Sequence, residues 1–139
     1  MPKNIIDRDR LLLLLRRDYP DIIFKPGKKY LFRPPRTILL GPPEADDALI
    51  ILHELGHALS GHTSFDMDVQ RLKMEREAWD KARELASLYG IDFKEEVAER
   101  ELDTYREWLD HKSRCPRCGL VCYQTKDGKY HCPRCENFT

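Results

Sequence analysis

The sequence predicts an α+β fold: four helices and a small sheet, followed by a compact C-terminal ribbon. Three observations lead there. Short β-prone runs at residues 22–24, 29–32 and 37–40 are separated by Pro26-Gly27 and Pro34-Pro35. Four longer segments repeat their apolar residues at helical spacing. Two CxxC pairs close the chain, which divides it at about residue 112 into a main domain, 1–112, and a ribbon, 113–139.

The first helix runs to about Asp18, with Asn4 as its cap and with Ile5, Leu11, Leu12 and Leu15 near one face. After the three strands, Gly41-Pro42-Pro43 ends the sheet, and Asp46 or Asp47 caps a second helix. Residues 48–52 of that helix are continuously apolar, so it is expected to be buried almost all round and to stop at Gly61. Asp66 or Asp68 caps a long third helix reaching Tyr89, with Gly90 as its stop. The fourth helix, residues 94–111, starts near Asp92 or Phe93 and turns Val97, Leu102, Tyr105 and Leu109 inward. The strand at 37–40 is a candidate for an edge along which an extended peptide is held by backbone hydrogen bonds; the alternative is an ordinary core strand.

The 139 residues suffice for one core and an appended mini-domain. A 41% hydrophobic and 35% charged composition, with 24 basic and 24 acidic residues, describes a globular chain rather than a disordered one. The apolar run at residues 11–15 is far shorter than the roughly 18 residues of a membrane span, so no membrane partner is expected. Charge is unevenly spread: residues 112–139 hold six Lys/Arg against Asp127 and Glu136, a balance of +4 that the rest of the chain offsets. Four of the five cysteines stand in CxxC pairs, a pattern of metal binding in a reducing compartment, which points to the cytoplasm.

The second helix carries His53-Glu54-Leu55-Gly56-His57. Histidines four residues apart share one helical face and reach one metal ion, while Glu54, about 100° round, reaches a water in the open coordination position. That is the arrangement a general base for hydrolysis requires. The motif also arises by chance in charged surface helices, but two histidines and a glutamate in an apolar helix are costly without a metal or dedicated partners. A third protein ligand is expected, from His62, Glu75 or Glu77. In the HExxHxxGxxH arrangement the third histidine stands six residues past the second; His62 stands five past it, and Ser60 occupies the glycine position. Leu72, Ala78, Trp79, Ala82, Ala86 and Tyr89 all fall within about 60° of Glu75, whereas Glu77 projects among Asp80, Lys81 and Glu84. Glu75 is therefore assigned as the third ligand, with Glu77 and then His62 as the alternatives.

The run HELGHALSGH followed by MEREAWDKA resembles the ImmA/IrrE family of metallopeptidases over roughly residues 1–90. The resemblance implies a gluzincin-like (zincin-like) minimal metallopeptidase fold, with a helix, a short and mostly antiparallel sheet, the HExxH helix and a glutamate helix, and cleavage of repressors or other regulators. An HExxH domain joined to a C-terminal ribbon is also similar to the SprT family, whose third ligand is a downstream histidine; this chain has none between His62 and His111.

Cys115-Pro116-Arg117-Cys118 and Cys132-Pro133-Arg134-Cys135 are near-identical knuckles with Asp127-Gly128 between them as a hairpin turn. Their four thiolates close a tetrahedral structural zinc site, and Cys122 is left over. Arg114, Arg117, Lys126, Lys129 and Arg134, interleaved with Tyr123 and Tyr130, suit phosphate contact and base stacking; protein docking or packing against the main domain is the other use of such a ribbon. The expectation is thus a zinc-dependent endopeptidase acting on a protein or peptide, with one catalytic and one structural zinc. Its alternative is a nucleic-acid- or protein-binding regulator whose peptidase-like site does not turn over. Tyr89, Tyr105 and His62 are each candidates to stabilise an oxyanion.

Overall fold

A computed structural model describes residues 7–138, and the side chains of 7–135. Asn4 and Ile5, expected at the start of the first helix, lie outside them. The first helix, α1 (Arg8–Asp18), opens instead on Asp7, whose carboxylate accepts the Arg10 amide at 2.8 Å. It buries Leu11, Leu12 and Leu15.

The sheet that follows is β1 (Ile23–Pro26), β2 (Leu31–Arg33) and β3 (Thr37–Leu40), in the order β1-β3-β2. β2 and β3 form an antiparallel hairpin around the cis Pro34-Pro35 bond, whereas β1 runs parallel to β3. The sheet is therefore mixed, not mostly antiparallel: β2 reverses direction and β3 reverses it again, so a β1 that pairs with β3 must lie parallel to it. β3 is consequently the central strand, and of the two readings of residues 37–40 the edge is overturned. β2 is the edge nearer the histidines.

α2 (Asp47–Leu59) is enclosed as its composition required, with Leu49 and every residue from 51 to 57 buried. It starts at Asp46, which adopts a left-handed conformation without a side-chain cap, and ends at Ser60 and Gly61. α3 (Asp68–Tyr89) stops at the left-handed Gly90. Its first turn is closed by Gln70, whose Oε1 accepts the Asp66 and Met67 amides at 2.8 and 3.1 Å, so neither Asp66 nor Asp68 is the cap. α4 (Glu95–Ser113) begins after Lys94 and buries Val97, Ala98 and Leu102; Tyr105 and Leu109 are half-buried. One core joins Leu11, Leu12 and Leu15 to Phe24, Ile38, Leu40, Ile51, Leu55, Trp79, Leu85 and Leu102. α2 and α3 approach so closely that Gly56 lies against the Ala78 backbone.

α4 leads directly into the ribbon, where β4 (Tyr123–Gln124), β5 (Tyr130–Cys132) and β6 (Glu136–Phe138) form an antiparallel sheet in that order. Gly128, at φ +85°, makes the turn between β4 and β5. The ribbon docks on the start of α3. Asp68, 4% exposed, receives the Tyr130 hydroxyl at 2.6 Å, the Lys112 ammonium at 3.0 Å and the Gln124 amide at 3.4 Å. Its backbone amide in turn donates to Gln124 Oε1 at 2.6 Å.

Candidate metal centres

His53 and His57, one turn apart on α2, aim their Nε2 atoms at the two oxygens of Glu75 on the facing helix, at 3.0 and 3.1 Å. The three side chains are buried, and one donor atom from each lies within 4.8 Å of the others. This trio could hold a metal ion. Two imidazoles and a carboxylate with little solvent need a shared cation or proton, which is the chemical fit the donor set offers. Glu75 is thus brought to the histidines and Glu77 is not: Glu77 is half-exposed, with its carboxylate 3.3 Å from His62 Nε2.

The remaining imidazole nitrogens have partners that fix the rings. His57 Nδ1 lies 3.0 Å from His62 Nδ1, and His53 Nδ1 lies 3.3 Å from Glu54. Orienting contacts of this kind on the far nitrogen accompany metal-ligating histidines. His53 also stacks on Trp79, with ring centres 4.3 Å apart. His62, one of the candidates for third ligand, stands outside the trio and supports His57 instead.

Glu54 stands beside the trio rather than within it. Its Oε1 accepts the Phe32 amide of β2 at 2.9 Å. In the antiparallel ladder, the amide spent on Glu54 is turned away from β3, so the outer edge of β2 faces this carboxylate and is bonded to it. Two clefts of about 390 and 410 Å³ flank Glu54, and both are lined by Lys29, Tyr30, His53 and Tyr105. Tyr89 is remote, with its hydroxyl on Asp18 at 2.6 Å.

Electrostatics tie the trio together. Burial opposes charge on His53, but hydrogen bonds to Glu54 and Glu75 and their charges outweigh it and raise its pKa to about 9. Burial likewise opposes charge on Glu75, and the hydrogen bonds from His53 and His57 with their charges lower it to about 2. Without a metal the site holds a shared proton where the cation would be.

Cys115, Cys118, Cys132 and Cys135 form the second group able to hold a metal, again within 4.8 Å of one another. In each knuckle a backbone amide points at the first sulfur: Arg117 at Cys115 and Arg134 at Cys132, both at 3.4 Å. Knuckle amides lower the Cys115 thiol, and at Cys132 they overcome burial and bring it to about 6, toward the thiolate a metal needs. Cys122 is outside the four; burial pushes it up to about 11, and it packs as a neutral thiol. Of the residues expected to meet nucleic acid, Tyr130 is buried on Asp68 and so is not placed to stack on a base, while Arg114 is exposed, paired with Asp110 and the Gly119 carbonyl. Tyr123 stays exposed, stacked on His131. Arg117, Lys126, Lys129 and Arg134 are exposed as well.

Among the described residues no helix is long and apolar enough to cross a membrane. Sequence reasoning missed the Phe32 amide, the Gly56 approach and Arg71, which lies 3.7 Å from Glu75 on the same helix. Only the last carried a readable signal, as a basic residue one turn before the ligand. Compared with protein-family models, with curated proteins and with solved structures, the chain matches none.

Proposed function

We propose that this chain is a zinc-dependent endopeptidase of minimal, gluzincin-like architecture, with a second zinc in the C-terminal ribbon. The observation that carries the reading is the position of Glu54: against the edge strand and the cleft, beside three converging ligands but not among them. A fourth ligand there would have argued for a closed structural site.

The distances suit zinc. Tetrahedral Zn–N and Zn–O bonds of roughly 2.0–2.1 Å separate ligand atoms by about 3.3 Å, near the 3.0 and 3.1 Å contacts of Glu75. Zn–S bonds of roughly 2.3 Å separate sulfurs by about 3.8 Å, near the 3.5 Å between Cys118 and Cys132. His53, His57 and Glu75 would hold the ion, which when bound would supply Lewis acidity for a water, bringing its pKa to about 7, and for a carbonyl.

The chain's own residues do the rest. The outer edge of β2 borders the cleft and guides an extended substrate along it, the Phe32 amide on that edge being committed to Glu54. Glu54, fixed by the Phe32 amide, takes a proton from the attacking water and delivers it to the leaving amine. Tyr105 lines the cleft on both sides of Glu54, and its phenol is kept protonated by burial and by the charge of Glu75. It is the hydrogen-bond donor for the developing oxyanion, a role that Tyr89 is too remote to fill and that His62, engaged by His57 and Glu77, does not fit.

The test is incubation of zinc-loaded protein with an unfolded protein such as alkylated casein, beside Glu54→Gln of equal metal content. Fragments from the wild type alone are expected. Equal cleavage by both proteins, or none by the wild type, contradicts the reading.

A further inference from the structure

The cleft of about 410 Å³ contains two cations that hydrolysis itself does not use, Arg71 of α3 and Lys29 on the approach to β2. The guanidinium carbon of Arg71 lies 5.6 Å from the centre of the Phe65 ring and 5.2 Å from that of Tyr105. Its Nη2 donates to the Tyr105 hydroxyl at 3.4 Å, and its Nε is 3.7 Å from Glu75 Oε2. Two aromatic faces thus hold a half-exposed guanidinium at the lip of the metal trio, at little further entropic cost to a ligand that meets it there.

Charge decides what that ligand is. The carboxylates lining this cleft are Glu54 and Glu75. A divalent ion cancels those two negative charges, and Arg71 and Lys29 are then left as a net positive pair facing the cleft. Arg71 is 3.7 Å from an oxygen that the ion would claim, so its remaining donors have an anion to gain and none from the protein lining. A guanidinium fork matches a carboxylate in two-point geometry. With consecutive Cα atoms about 3.8 Å apart, an acidic side chain on a residue flanking the scissile bond reaches it.

We propose that Arg71 is a specificity-determining residue that receives a substrate carboxylate, an Asp or Glu side chain beside the scissile bond, with Lys29 adding to the attraction, so that the substrates are acidic segments of protein. This rests on the peptidase reading and names its substrate class.

Two measurements test it separately from that reading. In the first, zinc-loaded wild type, Arg71→Lys and Arg71→Glu digest a denatured protein mixture, and mass spectrometry locates the cuts. Acidic residues are expected to be enriched several-fold next to the bond, retained in part by Arg71→Lys and replaced by Lys or Arg with Arg71→Glu. An enrichment that Arg71→Glu leaves unchanged overturns the proposal. In the second, zinc-loaded Glu54→Gln is titrated with acetylated, amidated peptides differing only in Glu or Gln. Binding about tenfold tighter for Glu, lost when Arg71→Ala is added, supports it; equal binding overturns it. A free-acid Gln peptide that binds as well as the amidated Glu peptide assigns the site to a chain terminus and overturns the side-chain assignment. Arg71-dependent binding of the Glu peptide without any cleavage by wild type would sink the peptidase reading and leave the recognition site standing.

Discussion

Gly56 sits between the two histidines of α2, where a methyl group is expected to open the metal trio. A Cβ at this position would stand 2.4 Å from the Ala78 carbonyl oxygen and 3.1 and 3.2 Å from the Ala78 carbonyl carbon and Cα. Ordinary C···O contacts are about 3.3–3.6 Å, so the shortfall is about 1 Å. The obstacle is the backbone of α3, inside a helix, and no rotamer relieves it. α2 and α3 must part by about that distance, and the 3.0 and 3.1 Å gaps from Glu75 to the histidines widen with them. Overpacking of this kind costs about 1–3 kcal/mol, a fall of roughly 3–15 °C in melting temperature for a chain this size. Looser placement of one ligand lowers metal affinity by about 10–100-fold. The assay is thermal unfolding of the chelator-stripped protein together with competitive zinc titration of Gly56→Ala. The control is Gly61→Ala: that residue sits at φ +70° with nothing within 4 Å of its Cβ direction, so the change strains the backbone without moving the helices apart. Normal zinc affinity and melting in Gly56→Ala would refute the close-packing argument.

Two further outcomes follow from the same structure. In the metal-free protein, the raised pKa of His53 contributes stability that is complete below about 6.5 and lost as pH rises through about 9, while the lowered pKa of Glu75 contributes stability present above about 4.5 and lost as pH falls toward 2. Urea midpoints should therefore be highest between about pH 4.5 and 6.5 and decline toward pH 9.5, while zinc affinity rises over that alkaline range because His53 must give up its proton; a midpoint that climbs with pH contradicts the pairing. Tyr130→Phe removes a 2.6 Å hydrogen bond to buried Asp68 and is expected to cost about 1.5–3 kcal/mol, with hydrogen exchange accelerated in the first turn of α3 as well as in the ribbon. Exchange confined to the ribbon would show that it does not brace that helix.

The parts of this molecule legible in its sequence are those set by local periodicity. The apolar run ahead of His53 and the spacing of His53 and His57 specify a buried helix with two imidazoles on one face, and the apolar neighbours of Glu75 put it on the inward face of the next. The CxxC spacing does the same for the ribbon. What the sequence conceals is settled by partners distant along the chain. β3 could be read as an edge or as a core strand because nothing in its four residues says that β1 will join it on the side away from β2. Asp68 read as a helix cap because such residues usually are; its real partner, Tyr130, is 62 residues away. Nothing local marks Gly56, since only the arrival of Ala78 makes a side chain impossible there.

The proposed function requires two separate metal centres, one open to chemistry and one closed. Elemental analysis of zinc per chain, for wild type and for His53→Ala combined with His57→Ala, tests it most directly. Two zincs falling to one is the predicted result, with the remaining ion held by Cys115, Cys118, Cys132 and Cys135; one zinc in both proteins would mean that the histidines hold no metal and would contradict the account.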